Sequence, residues 1–242
     1  MQRPGWFALL GRGDPLRGET RAAEGRLLTL SGGVAAIVAP RSSLPLIEAW
    51  REILLAQGAK HVSLLAVSRR EQACDRRLAG RLSEAPLVVL AAEEADEMLE
   101  LISGTPLAAA LGEVYRRGGV VAAALQAAPL LGETAPLGSA DDPRLRYGLG
   151  LLRGVAVEES FESAGAFHYL SEVVLGRPDL VGIGLERGSA VLVGFGGQAE
   201  VLAGRVALLD ASGVRASPGA VHGLRVDVLG PHARFALPAL TE

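Results

Sequence analysis

Short runs of nearly uninterrupted apolar residues recur through the first half of this chain, at 6–10, 34–39, 61–67, 87–91 and 120–124. A strand that is apolar on both faces must be covered on both faces, which is the condition of a parallel sheet enclosed by helices. The segments between the runs have helical spacing. Leu46, Ile47, Trp50, Ile53 and Leu54 fall on one stripe of a helix over 46–57, stopped by Gly58. An arginine-rich helix is expected over 69–83, and two more over 95–102 and 106–117, split at Gly104. Alternation at this spacing builds βαβ units with right-handed crossovers. The expected fold class is α/β: a three-layer α/β/α sandwich around a mostly parallel sheet.

The second half reads differently. Residues 140–147 are polar and loop-like, 149–157 suit a strand, and 164–175 suit a helix ended by Gly176 and Pro178. Strands with tight turns are then expected at 191–195, 199–202, 205–210 and 222–229, antiparallel and extending the sheet edge. No long polar linker and no internal repeat divides the chain, so one domain is expected over residues 1–242.

Bulk chemistry excludes some partners. A formal net charge of -3 gives no electrostatic reason to expect nucleic acid. No apolar run approaches the ~20 residues of a membrane span, and the N-terminus has no cleavage-site pattern, so a cytoplasmic protein away from the membrane is expected. Cys74 is the only cysteine, which rules out an internal disulfide. Arg70, Arg76 and Arg77 surround it, but a partly exposed helical thiol is the simpler reading.

The fifth apolar run continues as Gly119-Val120-Val121-Ala122-Ala123-Ala124-Leu125-Gln126-Ala127-Ala128-Pro129, reaching Gly132-Glu133. It reads as a buried strand, a sharp turn of small residues and a helix start. A nucleophile elbow has this plan, with Ser or Cys at the turn to attack a carbonyl. Leu125 stands there instead, and a hydrocarbon cannot do that chemistry. A relaxed turn is expected, with Leu125 filling the space that a catalytic group would occupy.

With the elbow placed, the chain resembles the cyanophycinase and aspartyl dipeptidase family of serine peptidases, whose fold is class I glutamine amidotransferase-like, a flavodoxin-like arrangement. The frame Gly119-Val120-Val121-Ala122 and Gly132-Glu133 matches the family's elbow, with Leu125 at the nucleophilic serine. Leu90-Ala91-Ala92-Glu93-Glu94 fits a strand that ends in two glycines in the family and helps form the oxyanion hole. Glu158-Glu159-Ser160-Phe161 occupies the place of the catalytic histidine motif, with Ser160 at the base. Gly182-Ile183-Gly184-Leu185-Glu186-Arg187 fits a further motif, with Arg187 at the acidic position that orients the histidine. The resemblance thus implies a scaffold without its triad, no cofactor, and a role in binding or assembly as a homodimer or as a heteromer with an active relative.

A substitute triad would draw on Ser139, Ser160, Ser163 or Cys74 as nucleophile and on His61, His168, His222 or His232 as base. None stands at an elbow, and a lone helical His such as His168 is more often a packing or surface residue. The alternative is an active serine-type hydrolase of small peptides or amides with a relocated nucleophile. A second alternative is a ligand sensor. Glu93, Glu94, Glu158, Glu159 and Glu186, with Gln126 and Arg187, are expected around the pocket, where clustered carboxylates favour a small cationic ligand or a hard metal ion over mutual repulsion. Solvated loop acids are the plainer reading. Gly182-x-Gly184 belongs to the family motif, and Gly194-x-Gly196-Gly197 links two late strands and does not precede a helix, as a phosphate cradle requires.

Overall fold

A computed structural model of the chain describes residues 4–138, 142–217 and 220–237. The first half runs β1 (Trp6–Leu10), α1 (Arg21–Leu30), β2 (Val34–Pro40), α2 (Leu44–Ala56), β3 (His61–Val67), α3 (Arg70–Ala73), α4 (Arg76–Ser83), β4 (Leu87–Ala92), α5 (Ala95–Ile102), α6 (Pro106–Arg116) and β5 (Val120–Leu125). The second runs β6 (Gly132–Gly138), β7 (Pro143–Tyr147), β8 (Leu152–Glu158), α7 (Ala164–Gly176), β9 (Val181–Leu185), β10 (Ala190–Val193), β11 (Gln198–Ala203), β12 (Val206–Asp210), β13 (Arg215–Ser217), β14 (Ala220–His222), β15 (Arg225–Leu229) and β16 (Arg234–Ala236).

The α/β class holds, and the strands divide between two sheets. An eight-stranded sheet has the order β16-β11-β10-β1-β5-β4-β2-β3, and a six-stranded sheet the order β15-β12-β9-β8-β6-β7. In the first, β1, β5, β4, β2 and β3 are parallel neighbours, and β10, β11 and β16 add antiparallel beyond β1. In the second, β6, β8 and β9 are parallel, with β7, β12 and β15 antiparallel. The late strands were expected to extend one sheet; β10, β11 and β16 do, whereas β12 and β15 pair onward from β9.

Strand alternation sorts the core. Ala8, Leu10, Ile37, Val89 and Ala122 face α1 and α2, where Leu27, Ile47, Trp50 and Leu54 close one layer. Phe7, Leu9, Val38, Leu90 and Val121 face the other way, into a core shared by α4, α5, α6 and the second sheet through Val155, Val157, Ile183 and Leu185. The outer face of the second sheet packs on α7 through Ala156, Leu209, Leu170 and Val174. The shared middle core joins the two sheets.

Local chemistry overrides several expectations. Residues 69–83 form two helices, because the Asp75 carboxylate accepts from the amides of Arg77 and Leu78 and starts a new helix after Cys74. Cys74 is exposed at that break. The helix expected after the elbow is a short 3-10 turn, Ala128–Leu131, leading straight into β6. Within 140–147, residues 143–147 are a strand, β7, paired along β6. Its alternation sends Arg144 and Arg146 to Asp96 at the start of α5, and this tie reads as loop chemistry in the bare sequence. No described helix is long and apolar enough to cross a membrane.

Candidate functional site

The parallel strands of both sheets end in one region, as ligand crevices of open α/β sheets do. From the first sheet, β1 runs into the Gly11–Pro15 loop, β4 into Glu93 and Glu94, and β5 into Gln126. From the second, β6 ends at Gly138, β8 at Glu158 and β9 just before Glu186. Three clefts of about 400, 680 and 420 Å³ open there, and Arg12 lines all of them. Glu94, Gln126, Glu158, Glu159 and Ser160 line the first. Ser160, Glu186 and Arg187 line the second. Glu93, Glu94, Leu125, Gln126 and Arg187 line the third.

Two close approaches hold this region together. An added Cβ on Gly184 would sit 2.3 Å from the Phe161 ring, so only glycine lets Phe161 seat on β9. The Phe161 amide donates to the Leu185 carbonyl at 3.1 Å, fixing the segment after Glu158 against β9. An added Cβ on Gly11 would sit 2.1 Å from the Glu186 carbonyl oxygen, so the β1 loop packs directly on the end of β9. The Arg12 amide donates to the Glu159 carbonyl at 3.1 Å, tying the two sheets across the clefts.

The carboxylates of the region differ in kind. Glu93 and Glu94 are exposed. Glu186 is ion-paired with Arg205 at 3.0 Å. Arg187 pairs with Glu19 at 3.2 Å, and its backbone amide donates to Glu162. Glu19 is held below the usual carboxylate range by the Asp14 amide and by Arg187. Glu158 is pushed up by burial, against the pull of the Ser160 and Glu159 amides. Glu159 is pushed well above the usual range by burial and by Glu158, with Arg12 opposing. Only 8% of Glu159 is exposed, and its buried Oε2 has no hydrogen-bond partner. Among the described residues, no group of three or more His, Cys, Asp or Glu side chains is placed to hold a metal ion.

The elbow corrects the relaxed turn expected from the sequence. Leu125 has φ 60, one of two described non-glycine residues at positive φ. Side-chain alternation sends Val121 and Ala123 into the middle core, so Leu125 is due there too, but the left-handed turn reverses it. It packs with Ala124 toward the α1/α2 layer. Leu125 is half-buried and lines a cleft that stays open, so it does not fill the space.

The chain was compared with known proteins. No protein-family model matches it. A cyanophycinase from Trichormus variabilis is 26% identical over 198 residues, covering 74% of this chain and 66% of that protein. A cyanophycinase from Synechococcus elongatus is 25% identical over 222 residues, covering 84% of this chain and 67% of that protein. The chain thus spans about two thirds of the length of the curated relatives it matches. The crystal structure of a peptidase from an acI-B1 Actinobacterium superposes with a TM-score of 0.70 at 19% identity, covering 98% of both chains. The chain is thus similar to the cyanophycinases at low identity.

In this cyanophycinase-like chain the groups around the elbow are already engaged. The Gln126 amide, first after the turn, donates to the Ala92 carbonyl at 2.8 Å. The Glu93 amide donates to Ser43 Oγ at 3.2 Å. An oxyanion hole needs such amides free to receive developing charge. Ser163 lines the clefts but caps α7, accepting from the Ala166 amide at 3.0 Å. Ser160 lines them as well; Ser139 lies outside the described residues. His61, His168, His222 and His232 are exposed, and none lines the clefts. His61 opens β3, at the amino end of a parallel strand, and His168 sits 3.3 Å from Glu172 on α7.

Sequence reasoning missed Arg12, Glu19, Arg144 and Tyr169. Arg12 carried a usable signal: it lies in the first loop after the first strand of a parallel sheet, on the side where such sheets bind ligands. Arg144 and Tyr169 come from the second sheet and α7, and nothing local marks them.

Proposed function

We propose that this cyanophycinase-like peptidase homologue has lost its hydrolytic triad and acts by binding or assembly. The reading is carried by Leu125: the strand-to-turn geometry of an elbow survives around a side chain with no lone pair to attack a carbonyl. The engaged Gln126 amide and the absence of histidine and cysteine from the residues lining the clefts support it. Assembly takes the form of a homodimer or a heteromer with an active relative, measured by size exclusion with light scattering. The deciding experiment is incubation with aspartyl dipeptides and cyanophycin, with fluorophosphonate labelling alongside. Neither turnover nor labelling is expected.

One observation favours a second reading. Ser160 lines both the first and second clefts beside Glu158 and Glu159. A relocated serine hydrolase would use that hydroxyl, and turnover lost in Ser160→Ala would replace the first reading with it.

A further inference from the structure

Glu159 lines a cleft of about 400 Å³, and its buried carboxyl oxygen Oε2 has no protein partner. A buried polar atom without a partner is costly, and more so if charged. Such an atom in a ligand-sized cleft marks where a ligand donor belongs. We propose that the first cleft binds a small ammonium cation whose N–H groups reach the Glu159 carboxyl and its neighbour Glu158. The inference deepens the non-catalytic reading, since the amine is held and not cleaved.

The charges facing the pair select a cation. Arg144 pairs with Asp96, which Arg146 shares. Glu162 is occupied by the Arg187 amide. Tyr169 donates its hydroxyl to the Leu137 carbonyl at 3.3 Å. Arg12 and Arg144 are the arginines lining this cleft, against the carboxyls of Glu94, Asp96, Glu158 and Glu159. The acids outnumber the arginines, and burial raises the pKa of the two adjacent carboxyls, Glu158 and Glu159. Ammonium suits the site better than a planar cation. Its three N–H groups diverge from one nitrogen and can meet acceptors from a strand end and a neighbouring loop, whereas a guanidinium needs acceptors in one plane. The ammonium ion enters with its protons intact and lowers the raised pKa of the pair, so that the proton the pair carries is shed to the buffer as it binds.

Isothermal titration of the whole chain with putrescine and with methylammonium, in phosphate and in HEPES, tests this. Binding with release of a proton is expected, seen as a difference in heat between the two buffers. Affinity should rise with pH as the proton becomes easier to shed. Glu159→Gln, which keeps the shape of the side chain, should weaken binding about tenfold or more and remove the proton release. Cys74→Ser, at an exposed residue that lines none of the three clefts, should leave the isotherm unchanged. No heat with either amine, equal heats in the two buffers, or full affinity in Glu159→Gln overturns the inference. So does binding of acetate with proton uptake, which would make the pair an acid that donates to anions. Hydrolytic turnover would refute the non-catalytic reading without altering the amine isotherm, so the two failures are distinct.

Discussion

The backbone amide of Gln126 donates to the carbonyl of Ala92 at 2.8 Å, joining the ends of β5 and β4 immediately after the elbow. Restoring a hydroxyl at the elbow therefore does not restore a site. Leu125→Ser supplies an oxygen but no imidazole, and the Gln126 and Glu93 amides beside it are already engaged. Neither fluorophosphonate labelling nor dipeptide turnover above buffer background is expected. A labelled Leu125→Ser protein would mean that the amides rearrange around substrate.

Leu125 also carries a backbone cost. A left-handed conformation in a residue with a Cβ costs roughly 1–2 kcal/mol, and glycine is free of it. Leu125→Ala keeps that cost and gives up apolar contact with the α1/α2 layer. Leu125→Gly gives up the same contact but relieves the backbone. The glycine variant should be more stable than the alanine variant by about 1 kcal/mol in urea unfolding. The reverse order, which is usual for ordinary strand and helix positions, would mean that the turn has relaxed in solution.

Glu159 makes stability depend on pH. Its folded carboxyl is raised above the ordinary value of 4.5, by burial first and Glu158 second. A raised acid contributes stability that is complete below its unfolded pKa and is lost as pH rises through the folded one. Each unit of elevation corresponds to about 1.4 kcal/mol. Glu159→Gln cannot ionise, so it should be more stable than the wild type above the folded pKa, with the gap closing toward pH 4.5. Thermal melts of both proteins across that range give the difference directly; parallel curves would contradict it.

A second buried acid plays the opposite role. Glu24 is 2% exposed and accepts from Trp50 Nε1 at 2.6 Å, Thr20 Oγ1 at 2.6 Å and Gln57 Nε2 at 2.7 Å. It ties α1 to α2 in the layer that covers the parallel strands. Glu24→Ala leaves the buried indole N–H unpaired and should cost on the order of 2–4 kcal/mol, read as a lower urea midpoint with unchanged slope. Glu24→Gln keeps an acceptor for Trp50 and should cost less. Equal losses in the two variants would mean that packing matters more than the hydrogen bonds.

The elements legible in the sequence are those with strong local causes. The parallel strands of the first sheet were legible because burial on both faces makes them apolar throughout, and β1 and β3 match residue for residue. α1 was not legible: it presents Ala23, Glu24, Leu27 and Leu28 to the core, and the acid among them breaks the apolar stripe. β7 was missed because an edge strand exposed along its length needs no apolar alternation. The break at Cys74 is set by one carboxylate competing for two amides. Of the clefts, the acids at strand ends were legible, since strand ends are where a parallel sheet presents side chains.

The sequence by itself determined the α/β class, the apolar strands, and the leucine at the turn where bond-breaking would have to begin, because covalent identity and local burial pattern suffice for each. Tertiary structure alone decided that the strands split into two sheets, that Arg12 reaches every cleft, and that Leu125 keeps a left-handed turn. It also decided that, of the acids around the clefts, Glu159 is the one left buried with an unsatisfied oxygen. The physical reason is that backbone strain, desolvation and charge pairing depend on which distant segments meet, and β8 and β1 meet across more than half the chain.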